Sequence, residues 1–214
     1  MKLKNTLALS LAAVMAAGLT ACGSSADTSA APAAESTAAT ADAAGAPDGD
    51  GDPTTLTVAM ECAYAPYNWT QSDDSNGAVA IRGSSDYAYG YDVMMAKKIG
   101  EALGQKVQIV KLDWDSLIPA VMSGDVDCVI AGQSITAERA AQVDFSNPYY
   151  YASIVTLTKK DSAYANAASV ADLAGATATS QLGTIWYDTC LPQIENANIL
   201  PAQETAPAML VALN

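Results

Sequence analysis

Residues 92–112 read Asp92-Val-Met-Met-Ala-Lys-Lys-Ile-Gly-Glu-Ala-Leu-Gly104-Gln-Lys106-Val-Gln-Ile-Val-Lys-Leu112. Val93, Ala96, Ile99 and Leu103 recur at helical spacing, while Lys97, Lys98 and Glu101 fall on another face. The pattern predicts an amphipathic helix over 92–103. Gly104 closes it, because glycine enters the left-handed region that ends many helices without a Cβ penalty. Residues 106–112 then form a short, largely apolar and β-branched run, the mark of a strand. A helix that stops on glycine and turns at once into a strand is half of a β-α-β unit.

Working outward, the alternation continues. Residues 55–60 read as a strand. A helix follows 112, with Leu117, Ile118, Val121 and Met122 as its apolar face. Pro119 must lie near its start, which puts the cap at Asp115 or Ser116. Residues 126–131 form a third strand, a short helix starts near Thr136, and 149–158 is a long extended segment. Then come a short capped helix at 169–173, a strand at 176–180, a helix at 184–191, a strand at 198–200 and a helix at 204–214. Strands alternating with helices predict an α/β fold with a largely parallel sheet. Only one short strand pair follows the extended segment, and the last helix reaches Asn214 without a cap. The second half is therefore expected to be incomplete.

Ahead of this region the chain has another character. Lys2 and Lys4 precede an almost unbroken apolar run over 7–19, too short to span a bilayer and read as a secretory leader over 1–21. Residues 22–53 are nearly all Ala, Ser, Thr, Gly, Pro and Asp, a composition that cannot bury enough apolar surface to order itself, so a disordered acidic tether is expected. Its run Asp48-Gly-Asp-Gly-Asp52 alternates like a calcium loop but lacks the later Glu such a loop needs, and no metal site is assigned. No cofactor is expected either.

The 214 residues carry 10 basic and 23 acidic side chains, a net charge of −13, and no histidine. Such a chain will not seek nucleic acid, since phosphate contacts need Lys and Arg. Without histidine, Ser-His-Asp and Cys-His catalysis are excluded and the commonest zinc ligand is missing. Besides Cys22 there are Cys62, Cys128 and Cys190. A Cys62–Cys190 disulfide stays open, but free thiols are the expectation, and Cys128 reads as a small buried hydrophobe.

The polar and aromatic residues gather just after strands. Glu61, Tyr64, Pro66 and Tyr67 follow the first, Trp114 the second, and Gly132, Gln133, Ser134, Thr136 and Arg139 the third; Gln181, Gly183 and Thr184 follow the strand of the second half. Open α/β sheets bind ligands at the carboxyl ends of their strands, so four positions point to one crevice. Arg139 is the sharpest of them. In the first turn of a helix a cation is misplaced against the dipole, and an anion would relieve that cost. From position alone, an anion site and an arginine reaching solvent or pairing with Asp144 both stay open.

The stretch Ser134-Ile-Thr-Ala-Glu-Arg139, followed by Val143-Asp-Phe-Ser-Asn-Pro-Tyr149, resembles the signature of family 3 extracellular solute-binding proteins, which serve ABC importers of polar amino acids. Tyr64-Ala-Pro-Tyr67, Gly90-Tyr-Asp-Val93, Trp114-Asp-Ser-Leu-Ile-Pro119, Ser123-Gly-Asp-Val-Asp127 and Gln181-Leu-Gly-Thr184 fit it in order and spacing, from about 54 to 214. The resemblance implies a two-lobed, type II periplasmic-binding-protein clamshell, with lobe 1 over 54–156 and lobe 2 over 157–214. Arg139 corresponds to the arginine that clasps the ligand α-carboxylate. Ser134 and Gly132 match positions contacting the same group, and Thr184 lies in the second lobe's carboxylate loop. Tyr64 and Trp114 match the aromatic pair that sandwiches the ligand, and Glu61 a position that selects its far end, where an acid hints at a cationic amino acid. Gly132 stands where many relatives have serine, Ile185 where a second hydroxyl is common, and residues 73–89 form an insertion that lengthens a usually short loop. The acid that binds the ligand amino group is expected beyond Asn214.

Leu19-Thr20-Ala21-Cys22-Gly23 resembles the bacterial lipobox, whose cysteine is acylated, so Cys22 is expected to anchor an extracytoplasmic protein to the cell membrane. Together these readings describe a monomeric importer component that binds a free amino acid and delivers it to an ABC permease. Alternatives are an enzyme on the same fold, such as a dehydratase with Glu61 as its acid/base, or an extracytoplasmic sensor module.

Overall fold

The computed structural model describes residues 52–214. The leader, Cys22 and nearly all of the expected tether, including Asp48 and Asp50, lie outside the described residues. The order of elements is β1 (Thr55–Met60), β2 (Ala63–Tyr64), β3 (Asn68–Gln71), β4 (Val79–Ala80), β5 (Tyr87–Tyr89), α1 (Tyr91–Leu103), β6 (Lys106–Lys111), α2 (Leu117–Ser123), β7 (Cys128–Val129) and α3 (Ala137–Ala140), then β8 (Thr177–Ala178), β9 (Asn198–Ile199) and α4 (Ala206–Leu213).

The main sheet is parallel, in the order β6-β1-β7. β1 pairs with β6 from Thr55↔Lys106 to Met60↔Lys111, and with β7 through Val58↔Cys128 and Ala59↔Val129. As the middle strand it is covered on both faces, which is why 56–60 is a continuous run of buried residues rather than an alternating one. β7 is shorter than the expected 126–131, but its ladder runs on in spirit: Asp127 N donates to Thr57 O and Ile130 N to Ala59 O. Val126, Ile130 and Ala131 join the core with Val58, Met60, Ile109 and Leu117. A second parallel pair, β8 with β9, has its own small apolar cluster of Leu173, Ala176 and Ile194.

The sequence pattern placed α1 correctly, with Gly104 as its left-handed C-cap, but misassigned part of its buried face. Val93 and Ala96 are fully buried, whereas Ile99 and Leu103 are exposed and Gly100 is buried instead. A Cβ on Gly100 would lie 2.6 Å from Val107 Cγ2 and 3.0 Å from Gln105 O, so the helix leans on β6 through its missing side chain. On α2, Leu117 and Ala120 are buried and Met122 is exposed. Ser116 precedes α2 as expected, after a 3₁₀ turn over Trp114–Ser116, although its hydroxyl makes no capping bond.

Two expectations fail for identifiable reasons. The insertion is no open loop: β4 and β5 extend an antiparallel sheet of order β2-β3-β5-β4. Ile81 bridges Ile109 and Arg82 N donates to Ile109 O at 2.8 Å, which covers the free edge of β6. The helix expected at 184–191 is instead a π-helical turn, Trp186–Cys190, running into a 3₁₀ turn, Leu191–Gln193. Pro192 has no N–H to continue an α-helical ladder. The segment 149–158, expected to be extended, forms neither helix nor strand, and Tyr151 and Val155 are largely exposed.

Alanine ordinarily stabilises a helix relative to glycine by about 1 kcal/mol. Gly100→Ala should do the opposite, costing about 1–2 kcal/mol as the new methyl pushes α1 off Val107. Urea unfolding of the parent and the variant gives the sign.

Candidate functional site

The ends of β1, β6, β7 and β8 meet at a cleft with about 330 Å³ of empty space, open solvent at its mouth included. Of the seven residues expected there, Tyr64, Trp114, Gly132, Ser134, Arg139 and Thr184 line it. Ala131, Gln181, Ile185 and Trp186 complete the lining.

Arg139 is held by a short chain of contacts. Thr136 caps α3 by accepting from Arg139 N at 3.2 Å. The guanidinium donates through Nη1 to Ser134 O at 2.8 Å and through Nη2 to Gly183 O at 3.0 Å, and lies 5.5 Å from the centre of the Trp114 ring. The helix-dipole argument does not apply, because α3 has four residues and Arg139 stands in its first and last turn at once. The half-buried guanidinium is instead fixed by two carbonyl oxygens and an aromatic face, a cation–π geometry. Burial pulls its pKa below the ordinary arginine value, against the opposing pull of Glu138 and Asp188.

Gly183 O is shared, since Trp114 Nε1 also donates to it, at 3.1 Å. Gly183 has a φ of 65°, and a side chain there would collide with the Asp115 carboxylate. Thr184 is buried, and its hydroxyl donates to Gln181 O at 2.7 Å. Tyr64 stacks on Tyr67 with ring centroids 5.0 Å apart and meets Trp186 at 5.8 Å.

Gly132 adopts a φ of 63°, which accounts for glycine where a serine was the norm. Its N–H already has a partner: it donates to the Tyr149 hydroxyl at 3.0 Å, which donates to Asp92 Oδ1 at 2.8 Å. The other Asp92 oxygen accepts from Asn68 Nδ2 at 2.7 Å, and Asn68 Oδ1 accepts from Cys62 N at 2.8 Å. Asp92 is fully buried, and burial raises its pKa above the ordinary 3.8 although both hydrogen bonds oppose the shift.

Glu61 is the expected residue that does not line the cleft. It is 5% exposed, and Oε1 accepts from Gln181 Nε2 at 2.9 Å. Burial raises its pKa, the Gln181 hydrogen bond lowers it, and Asp113 and Lys111 act in opposite senses. Gln181 takes its place in the cleft wall; its position at a strand end was the available sign. Trp186 carried no sign beyond following Thr184. Cys62, Cys128 and Cys190 are free thiols, with burial pushing Cys62 up to about 12 and Cys128 to about 11. Among the described residues no group of His, Cys, Asp and Glu is placed to hold a metal, and no helix is long and apolar enough to cross a membrane.

Residues 56–212 match the family model for bacterial extracellular solute-binding proteins, family 3. The chain belongs to this family. It is 32% identical over 183 residues to the arginine-binding extracellular protein ArtP of Bacillus subtilis, an alignment that covers 86% of this chain and 58% of ArtP. Among solved structures, arginine-bound truncated ArgBP from T. maritima superposes with a TM-score of 0.62 at 29% identity, covering 75% of this chain and 68% of that one. The ancestral amino acid-binding protein AncCDT-1, a precursor of cyclohexadienyl dehydratase, gives a TM-score of 0.61 at 32% identity over 75% of this chain and 66% of its own. The fold is thus the two-lobed α/β fold of these family members, and the chain spans 58% of the length of ArtP.

Within the family 3 fold the Asp92–Tyr149–Gly132 relay should be separable from ligand contact. Tyr149→Phe leaves a buried carboxylate short of one donor, which should cost about 1–3 kcal/mol and lower the melting temperature by several degrees. The pH dependence has a definite sign. Since the folded Asp92 holds its proton to higher pH than the unfolded chain does, its contribution is most favourable below about 3.8 and is lost as pH rises through the folded value. Relative to Asp92→Asn, the parent should lose stability as pH increases across that window, which denaturant titration at stepped pH measures.

Proposed function

We propose that this chain is the extracytoplasmic substrate-binding component of an ABC importer for polar amino acids, with cationic ones as the favoured class. In this reading residues 54–156 and 157–214 belong to two lobes that close on a free amino acid by hinge bending and release it to a membrane permease. The observation that carries it is Arg139: a guanidinium fixed over Trp114 in a cleft wall, with N–H groups left over for a bidentate contact to the ligand α-carboxylate. Ser134, Gly132 and Thr184 shape the carboxylate end, and Tyr64 and Trp114 flank the ligand. ArtP, described as arginine-binding, and the arginine-bound ArgBP structure support the ligand class.

Binding is favoured over the catalysis of which the AncCDT-1 lineage is a reminder. The acid available for dehydration, Glu61, is held behind Gln181 rather than presented to the cleft. Acylation of Cys22 and the acidic segment 22–53 would keep a monomeric clamshell close to its permease, raising the effective concentration of the pair.

Titration calorimetry with L-arginine tests the site. Arg139→Ala should weaken binding at least about a hundredfold while the far-UV spectrum is retained, since a charge-assisted bidentate pair is lost. Trp114→Ala should weaken it less and reduce the ligand-induced change in tryptophan fluorescence. Unaltered affinity in both variants would remove the carboxylate and sandwich roles. Separately, Cys22→Ser in the full chain expressed in its native type of host should move the protein from the membrane to the soluble fraction, as membrane fractionation would record.

A further inference from the structure

We propose that the groove between β4 and β6 holds this chain's own acidic run, Asp48-Gly-Asp-Gly-Asp52, as a clasp that fixes where the domain leaves the segment preceding it. The inference stands apart from amino-acid binding, because the groove lies at the amino ends of β1 and β6, opposite the cleft.

The groove comes from a limited contact between strands. β4 belongs to the antiparallel sheet, and the chain after it meets β6 at the Ile81↔Ile109 bridge and through Arg82 N, which donates to Ile109 O. Toward the start of β6 about 550 Å³ of empty space opens, solvent at its mouth included, with Val79, Ala80, Arg82, Lys106 and Gln108 among its lining. Arg82 and Lys106 are both exposed. The Arg82 guanidinium makes a long contact, Nη1 donating to Gln108 Oε1 at 3.5 Å. In a chain with 23 acidic and 10 basic side chains, two cations bordering one groove favour an anionic occupant.

Which anion follows from where the chain enters. Pro53 O accepts from Gln105 Nε2 at 3.1 Å, and Thr54 O accepts from Lys106 N at 2.8 Å. Asp52 accepts from the Thr54 and Thr55 hydroxyls, and Thr55 lines the groove. Hydrogen bonds from Thr54 and Thr55 hold the Asp52 carboxyl below the ordinary aspartate value, with a smaller pull from Lys106. The residues before Asp52 therefore set out from the Lys106 end of the groove. Asp50 and Asp48 lie up to about 7 and 14 Å of extended chain from Asp52. Along β6, Lys106 to Ile109, where Arg82 is bonded, spans about 10 Å. Asp50 thus matches Lys106, and Asp48 reaches Arg82. In extended backbone the three carboxylates fall on one side, and the glycines between them leave the other side bare. The clasp gives a use to the alternating aspartates, which make no calcium loop. It also gives one to the insertion over 73–89, whose Val79–Arg82 stretch walls the groove.

Hydrogen exchange of the full chain in detergent, read by mass spectrometry, tests the clasp. Amides of 48–51 should exchange about three- to fivefold more slowly in the parent than in Arg82→Glu/Lys106→Glu, a modest factor because exposed ion pairs are individually weak. Asp48→Lys/Asp50→Lys should lose the same protection. Combining all four substitutions reverses both sets of charges and should restore it, which a merely structural defect would not do. About 1 M salt, where the screening length is about 3 Å, should remove the protection from the parent. Exchange at 48–51 that is equally fast in parent and variants, or protection that the substitutions leave unmoved, overturns the proposal. Protection that falls as the chain is diluted assigns the groove to the acidic run of a second copy, and overturns it as well.

Discussion

The burial of β1 on both faces is the constraint on which the remaining structure hangs. A strand with no solvent side must pair along both edges and be covered above and below, and Leu56 to Met60 meet that demand with side chains that need no water. Parallel pairing with β6 and β7 follows, and parallel strands require crossovers, which α1 and α2 supply. Because all three strands run the same way, their carboxyl ends arrive at one edge of the sheet. Tyr64, Trp114 and Gly132 are neighbours in the cleft for that reason, though 68 residues of chain separate the first from the last.

A second constraint lies one layer below that edge. Asp92, in the first turn of α1, is a carboxylate taken fully out of water, and such a group is tolerated only when its oxygens are satisfied. Asn68 and Tyr149 satisfy them, and each brings another segment along: Asn68 ties in β3 and the Cys62 backbone, Tyr149 the loop at Gly132. The polar network therefore joins the antiparallel sheet, the helix start and the cleft wall. Its backbone donors are used for shape, so the Gly132 N–H that the family pattern offers to a ligand is engaged in holding the loop.

What could be read from the sequence followed the strength of local signals. β1, α1 and β6 were legible nearly to the residue because their hydrophobic pattern, the closing Gly104 and the β-branched run agree. Most cleft residues were legible from their places at strand ends and from the family motif. The failures were tertiary in origin. Nothing local says that Gly100 rather than Ile99 faces the sheet, since the deciding fact is the proximity of Val107. The pairing of β3, β4 and β5 depends on an edge of β6 that only the assembled sheet presents. Glu61 stands at the position that should reach a ligand, yet Gln181, 120 residues away in the chain, covers it.

The carbonyl of Gly183 shows how the cleft balances its own contacts against those of a ligand. It accepts from Trp114 Nε1 and from Arg139 Nη2, so it orients both the ring and the guanidinium stacked over it. A buried cation without acceptors would be costly, and two carbonyls, of Gly183 and Ser134, lower that cost through hydrogen bonds. A neutral carbonyl is a weaker partner for a guanidinium than a carboxylate is, so an arriving anion gains by more than it displaces. The same preorganisation limits the loss of side-chain freedom on binding, because Arg139 is held in place beforehand. Residue type at 183 matters through the backbone alone: only a glycine can hold a φ of 65° against Asp115 and turn its carbonyl toward both donors.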